Sequence, residues 1–155
     1  MAQESSSDLT KAKGIVFQLL KFRARSRKEI EDRLKRKKFT TATINSAIDY
    51  FDKLALINDE EFAAGWMKSR LAKPLGLRRI SLELRQKGIP SEIIEQARDS
   101  LKDNYSEYEV VSELAREKLK KLKNIDSKKA KARIYSFLIR RGFSIDVINE
   151  VVNEL

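Results

Sequence analysis

From Ile80 to Leu101 the chain reads ISLELRQKGIPSEIIEQARDSL, and the same pattern occurs once before this stretch and once after it. Seven positions keep their chemical type in all three copies, which lie fifty and fifty-four residues apart and contain no gaps. The three sets are Ile30, Leu34, Lys37, Phe39, Ile44, Ala47 and Phe51; Ile80, Leu84, Lys87, Ile89, Ile94, Ala97 and Leu101; and Ile134, Leu138, Arg141, Phe143, Ile148, Val151 and Leu155. Self-similarity of this kind indicates a fold built from structural repeats.

Each copy of the pattern predicts two helices separated by a tight turn. Ile80 and Leu84 are four residues apart, so they share one face of a helix. Gly88 stands where a left-handed residue ends a helix, and Pro90 suits the start of the next helix. A further helical pattern of apolar residues precedes each pair. The sequence therefore predicts nine helices, arranged as three units of three.

Polar residues that are suited to cap helices precede several of the predicted helices. These residues are Ser26, Thr40, Asn58 or Asp59, Ser106 and Ser144. The first copy departs from the others at one point, because Lys38 stands where the second and third copies have Gly88 and Gly142. We expect this departure to affect the turn rather than the arrangement of the helices.

The predicted fold is all-α, with three tandem three-helix repeats stacked into an elongated, curved body. We place a disordered tail at residues 1–8 and the three repeats at residues 9–57, 58–103 and 104–155. A three-helix unit of this size has a marginal core by itself, so neighbouring repeats are expected to stack.

Composition argues against catalysis and against a bound metal or cofactor. The 155 residues include no Cys and no His, which excludes thiolate nucleophiles, imidazole acid–base chemistry and the usual zinc sites. The five glycines are too scattered to form a phosphate-binding loop. The acidic run Asp59-Glu60-Glu61 opens a predicted helix, where acids stabilise the helix dipole. With no signal peptide and no long apolar run, we expect a cytoplasmic protein without membrane contact, and a monomer.

Positive charge is concentrated in the middle helix of each predicted unit and in the residues that lead to it. The net charge of the whole chain is +10. Residues 21–38 alone carry +7, residues 68–88 carry +6 and residues 116–141 carry +9, so the remainder is acidic. If the units stack, these helices align as a cationic strip, which suits a polyanion or a large acidic surface of a partner.

Thirteen cations are the candidate residues of this strip for binding a partner or DNA. They are Arg23, Arg25, Arg27, Lys28, Lys35, Arg70, Arg78, Arg79, Arg85, Lys87, Arg133, Arg140 and Arg141. A structural alternative stays open for Lys37, Lys87 and Arg141, since cations in a last helical turn also complement the helix dipole. Most aromatic residues fall in core positions, and Tyr135 is the best candidate for an exposed ring.

Four stretches of the chain resemble the RecX family of bacterial recombination regulators. They are Arg23-Ala24-Arg25-Ser26-Arg27-Lys28-Glu29-Ile30; Ile57-Asn58-Asp59-Glu60-Glu61-Phe62-Ala63; Gly76-Leu77-Arg78-Arg79-Ile80 with Glu83-Leu84-Arg85-Gln86-Lys87-Gly88-Ile89; and Lys131-Ala132-Arg133 with Arg140-Arg141-Gly142-Phe143. The likeness runs from about residue 12 to the C-terminus in the family's usual order. Lys38 and Ala55 depart from the family's pattern at turns.

The resemblance implies a protein that binds the filament of the RecA recombinase on DNA. Family membership would mean a role in DNA repair, recombination and the SOS response. It would also mean inhibition of the recombinase's ATP hydrolysis, filament extension and strand exchange. The alternative is a protein that binds DNA or RNA directly, using its three-helix units as helix-turn-helix-like modules.

Overall fold

A computed structural model describes residues 2–155, with side chains from Ser6 onward. In this range the chain forms nine α-helices and no strand. The helices are α1 (Ala2–Phe22), α2 (Arg27–Arg36), α3 (Thr41–Lys53), α4 (Asp59–Leu71), α5 (Leu77–Gln86), α6 (Ser91–Asp99), α7 (Glu107–Lys121), α8 (Ser127–Arg140) and α9 (Ile145–Glu154). The prediction of an all-α chain with three helices per repeat is confirmed. We call α2, α5 and α8 the middle helices.

The N-terminal segment differs from the disordered tail expected at residues 1–8. Met1 lies outside the described residues, and helix α1 begins at Ala2. Near the start of α1, the Thr10 hydroxyl donates a hydrogen bond to the Ser6 carbonyl, with 3.1 Å between the oxygens. A helix that is already nucleated gains one hydrogen bond for each residue that it adds, so α1 extends through this polar segment.

Most of the predicted capping residues form a capping bond, whereas the Ser144 side chain, at the start of α9, forms none. Ser26, Thr40 and Ser106 each accept a hydrogen bond from the backbone N–H three residues later. Between the two candidates for α4, Asn58 is the capping residue, and its side-chain oxygen accepts from the N–H groups of Glu60 and Glu61. These bonds satisfy backbone donors that a helix start leaves unpaired.

The three middle helices end in the same turn, although its residues differ. Lys38, Gly88 and Gly142 have φ values of 67°, 79° and 83°, all in the left-handed region. In each turn the left-handed residue and the next residue donate backbone hydrogen bonds to the last turn of the helix, as in a Schellman motif. Lys38 therefore departs from the repeat in residue type but not in conformation.

Replacing Lys38 with glycine is expected to raise the free energy of unfolding by about 1 kcal/mol. A residue with a Cβ is strained at φ 67°, and glycine removes the strain. Urea denaturation monitored by circular dichroism measures the change. The matched control is Lys37→Gly, where φ is −81° and glycine should instead lower stability. Equal effects of the two substitutions would contradict the explanation.

The chain forms two compact units. Unit 1 comprises the residues up to Gly65 together with Leu84–Ile93, and unit 2 comprises Trp66–Glu83 and Ile94–Leu155. The core of unit 1 contains apolar residues of α1, α2 and α3, and one core of unit 2 contains residues of α7, α8 and α9. The first two repeat positions of the middle helices are fully buried in every copy: Ile30, Leu34, Ile80, Leu84, Ile134 and Leu138.

Candidate partner-binding surface

In unit 1, the start of α2 contacts the turn that follows α5. The buried Ser26 hydroxyl accepts from the Glu29 N–H and donates to the Lys87 carbonyl, with 2.7 Å between the last two oxygens. Gly88 lies so close that a Cβ added there would stand 2.4 Å from Cβ of Lys28. This contact, which we call the unit 1 joint, places the start of one middle helix beside the end of another.

Unit 2 contains an equivalent joint between the start of α5 and the turn that follows α8. The Gly76 N–H donates to the Arg141 carbonyl (N···O 2.8 Å), and the Arg78 N–H donates to the Gly142 carbonyl (N···O 3.2 Å). The Arg141 guanidinium also donates to the Lys73 carbonyl across 3.1 Å. Gly76 and Gly142 occupy the same repeat positions as Ser26 and Gly88, so the joint is a property of the repeat.

A half-buried carboxylate, Glu83, holds several side chains of unit 2 together. Glu83 accepts hydrogen bonds from the Trp66 indole N–H and from two nitrogens of Arg70. Arg79 approaches the same carboxylate to 3.4 Å. Burial alone would raise the pKa of Glu83, but the hydrogen bonds from Arg70 and Trp66 and the charges of Arg70 and Arg79 hold that pKa below its ordinary value. Arg70 and Arg79 thus have a structural role in unit 2.

The lowered pKa of Glu83 predicts how stability depends on pH. A carboxyl group whose folded pKa is depressed stabilises the fold above its unfolded pKa of about 4.3 and loses this contribution as the pH falls through the folded pKa. We therefore expect Glu83→Gln to destabilise the protein at pH 7 and to make its acid denaturation shallower below about pH 4. The exposed Glu95→Gln is the control. Parallel pH–stability curves for the Glu83 variant and the parent would contradict the prediction.

Unit 1 contains a cationic cleft of about 460 Å³ around the carboxylate of Glu29. Its lining residues, which define the Glu29 cleft, are Leu19, Arg23, Arg25, Glu29, Asp32, Arg33, Arg36 and Lys87. Arg23, Lys87 and Arg25 approach the Glu29 carboxylate to 2.8, 3.2 and 3.7 Å. Burial and the like charge of Arg23 lower the pKa of Arg25, although Glu29 opposes that change. Positive charge is therefore in excess here.

The structure divides the thirteen candidate cations into two groups. Eight make contacts within their unit: Arg23, Arg25 and Lys87 with Glu29; Arg27 with Asp52; Lys35 with Glu31; Arg70 and Arg79 with Glu83; and Arg141 with backbone carbonyls. The other five are exposed and form no ion pair among the described residues: Lys28, Arg78, Arg85, Arg133 and Arg140. These five side chains are available to a partner.

The five exposed cations lie on the middle helices, and four of them are regularly spaced. Arg78 and Arg85 are seven residues apart and share one face of α5, and Arg133 and Arg140 have the same spacing on α8. Leu82 lies between the two arginines of α5 and is 52% exposed. In the unit 2 joint, Arg78 stands beside the end of α8, where Arg140 is located. The exposed surface of α5 is therefore cationic with an apolar centre.

Three residues of the Glu29 cleft or its edge were not among the sequence candidates. Arg33 and Arg36 are exposed and form no ion pair among the described residues. They are three residues apart on α2, and this spacing could have indicated that they share one face of the helix. Phe22 is 82% exposed, whereas Tyr135, the ring expected to be exposed, packs against the core of unit 2. Phe22 continues the apolar spacing of Ile15 and Leu19, so sequence alone favours a buried position for it.

The described residues offer neither a metal site nor a membrane span. Among them, no group of three or more acidic, His or Cys side chains could hold a metal ion. None of their helices combines the length and the apolar character that crossing a bilayer requires. A cavity of about 330 Å³ in unit 2 is lined by Leu77, Glu95, Arg98, Asp99, Leu101, Lys102, Tyr105 and Glu107.

Comparison with known proteins gives consistent matches along the chain. Models of the first, second and third three-helix domains of RecX match residues 12–51, 58–97 and 105–152. A regulatory protein RecX of Amycolatopsis mediterranei is 39% identical over 146 residues, which cover 93% of this chain and 82% of that protein. A regulatory protein RecX of Prosthecochloris aestuarii is 34% identical over 154 residues, which cover 97% of each chain.

A solved structure has the same fold. The crystal structure of RecX from Lactobacillus salivarius superimposes with a TM-score of 0.85 and 26% sequence identity, over 97% of both chains. The first, second and third RecX domains match in the order in which the three repeats occur in the chain.

Proposed function

Because the chain belongs to the RecX family of regulatory proteins, we propose that it binds the RecA recombinase filament on DNA and inhibits its ATP hydrolysis, extension and strand exchange. In this role the chain acts as a cytoplasmic monomer, binds no cofactor and performs no chemistry of its own. ATP hydrolysis belongs to the recombinase.

The observation that carries the proposal is the exposed surface of α5, formed by Arg78, Leu82 and Arg85. Neither arginine forms an ion pair among the described residues, so binding of an acidic partner does not first require an internal contact to break. Leu82 offers apolar area between the two charges. An apolar centre is typical of interfaces with proteins, whereas contacts to a nucleic-acid backbone are mainly polar. The surface therefore suits an acidic protein partner.

The alternative, direct binding of DNA by helix-turn-helix-like modules, has less support. In such modules the later helix of the pair enters the major groove. Here the last helix of each repeat is acidic or nearly neutral: α9 carries Asp146, Glu150 and Glu154 and no cation, and α6 carries three acids and one arginine. Phosphates would repel these helices. Positive charge lies on the middle helices instead.

The test is the effect of the chain on the ATPase activity of RecA filaments assembled on single-stranded DNA. We expect inhibition at fewer than one molecule of this protein per recombinase subunit. Reversing both α5 charges, Arg78→Glu with Arg85→Glu, should raise the half-inhibitory concentration by at least about tenfold, because two attractive contacts become repulsive. Arg79 is left intact, since it contacts Glu83.

A matched control keeps the change in net charge and moves it elsewhere. Lys11→Glu with Lys102→Glu reverses two exposed cations outside the middle helices, and we expect less than about a threefold effect from this change. Leu82→Asn separates the two partner classes: weaker inhibition with unchanged DNA affinity supports a protein contact. If the α5 and control variants inhibit equally, α5 is not the contact surface. If the parent protein never inhibits, the proposed function is wrong.

A further inference from the structure

We propose that the Glu29 cleft, together with Phe22, is a binding site for single-stranded nucleic acid, with phosphates in the cleft and one base stacked on the ring. The inference does not depend on the proposed function, because it concerns residues of unit 1 that the α5 surface does not include. It combines three observations: the excess of cations, the exposed ring and the polar lining of the cleft.

The charge of the cleft favours an anionic ligand with more than one charge. Five cationic and two acidic side chains line it. The single carboxylate of Glu29 lies within 3.7 Å of cationic nitrogens of Arg23, Arg25 and Lys87. Arg33 and Arg36 have no ion pair among the described residues. Guanidinium groups bind phosphate oxygens in bidentate geometry, which fits a row of backbone phosphates.

Phe22 supplies a stacking surface at the edge of this cleft. Phe22 is the last residue of α1, and its ring is 82% exposed, although apolar side chains of this size are usually buried. The Arg25 guanidinium, which lines the cleft, lies 5.9 Å from the ring centroid. An aromatic ring beside a cationic groove is the combination by which proteins bind single strands, since bases stack on the ring while phosphates bind cations.

The same observations disfavour an acidic peptide and a duplex. Leu19 is the sole apolar residue among the described residues that line the cleft, so the apolar side chains of a peptide would find little area to bury. In a duplex the bases are already stacked on one another, so a ring can receive only a base of an unpaired strand. The volume of about 460 Å³ leaves room for a sugar–phosphate segment.

The experiment measures binding of a short fluorescent oligothymidylate to the full chain by anisotropy, over a series of salt concentrations. Arg33→Gln with Arg36→Gln should weaken binding at least about tenfold and reduce the slope of log affinity against log salt by about 1.4, as expected for two lost phosphate contacts. Lys11→Gln with Lys53→Gln removes the same charge from unit 1 outside the cleft and should change the slope much less.

Two further variants test the ring and guard against loss of folding. Phe22→Ala should weaken binding about 5- to 100-fold without changing the salt slope, while Phe17→Ala, an exposed phenylalanine of α1 outside the cleft, should have little effect. Asp32→Asn should strengthen binding by about two- to fivefold, because it removes a repelling charge. A gain in affinity together with an unchanged circular dichroism spectrum separates the effect of charge from a loss of folding.

Several outcomes would overturn the inference. One is an equal salt slope for the double variant of Arg33 and Arg36 and the double variant of Lys11 and Lys53. The others are equal affinities of the Phe22 and Phe17 variants, and no binding of oligothymidylate by the parent chain. Binding of polyglutamate as tight as that of oligothymidylate would assign the cleft to an acidic protein instead. Failure of these tests leaves the ATPase test of the α5 surface unaffected, so the two proposals are distinguishable.

Discussion

Replacing Gly142 with alanine is expected to lower the free energy of unfolding by about 3 kcal/mol, one of the two largest changes that we predict for a single substitution in this protein. Two effects add. The φ of 83° is unfavourable for any residue with a Cβ. The added Cβ would also stand 2.3 Å from Cβ and 2.8 Å from the backbone nitrogen of Arg79. Backbone atoms cannot rotate away, so the unit 2 joint must open.

Urea denaturation of the Gly142 variant measures this loss, and substitutions at Gly65 and Lys38 provide controls. Gly65→Ala places a methyl group in a helix where no atom lies within 4 Å, so it should slightly raise stability. Lys38→Gly reports the strain of the left-handed turn in unit 1. If Gly142→Ala were no more destabilising than Gly65→Ala, the joint would not be a close contact in solution.

Introducing a carboxylate at Leu84 should have the other large effect. Leu84→Asp removes a fully buried side chain, worth about 2–3 kcal/mol of apolar burial, and replaces it with a group that must either stay charged without a partner or take up a proton. We expect a loss of at least about 4 kcal/mol, enough to unfold a marginal domain. Circular dichroism at 222 nm and thermal denaturation measure it.

The control for Leu84 lies two residues earlier on the same helix. Leu82 is 52% exposed and lies on the opposite side of α5. The same substitution there, Leu82→Asp, should alter the free energy of unfolding by less than about 1 kcal/mol. Partial recovery of the Leu84 variant at low pH would support burial of an ionised carboxyl group. Equal stabilities of the two variants would mean that the repeat positions do not identify the core.

Much of the fold could be predicted because its signals are local. Apolar residues four apart define the buried face of α2, α5 and α8, and capping residues such as Ser26 and Asn58 mark helix starts. Because the pattern repeats, the apolar spacing and the turn positions each appear three times, and a repeat with a less typical sequence could be recognised from the other two. Lys38 is an exception: we expected it to affect its turn, whereas its φ of 67° lies in the same left-handed region as that of Gly88 and Gly142.

The candidate site was predicted less completely, because charge along a chain does not say which charges meet. Lys87 stands beside Glu29 although 58 positions separate them in the chain, and Arg141 reaches the Lys73 carbonyl from the turn that follows α8. Both pairings arise at the joints. Only five of the thirteen predicted cations are left exposed without ion pairs among the described residues.

Periodic spacing within single helices was thus enough to establish an all-α chain of three triplets with cationic middle helices, since the pattern of a helix depends on neighbours four residues away. The availability of each cation, the exposure of Phe22 and the shape of the Glu29 cleft depend on contacts between residues that are remote along the chain. Such contacts form only when helices pack, because packing decides which carboxylate lies within reach of which cation.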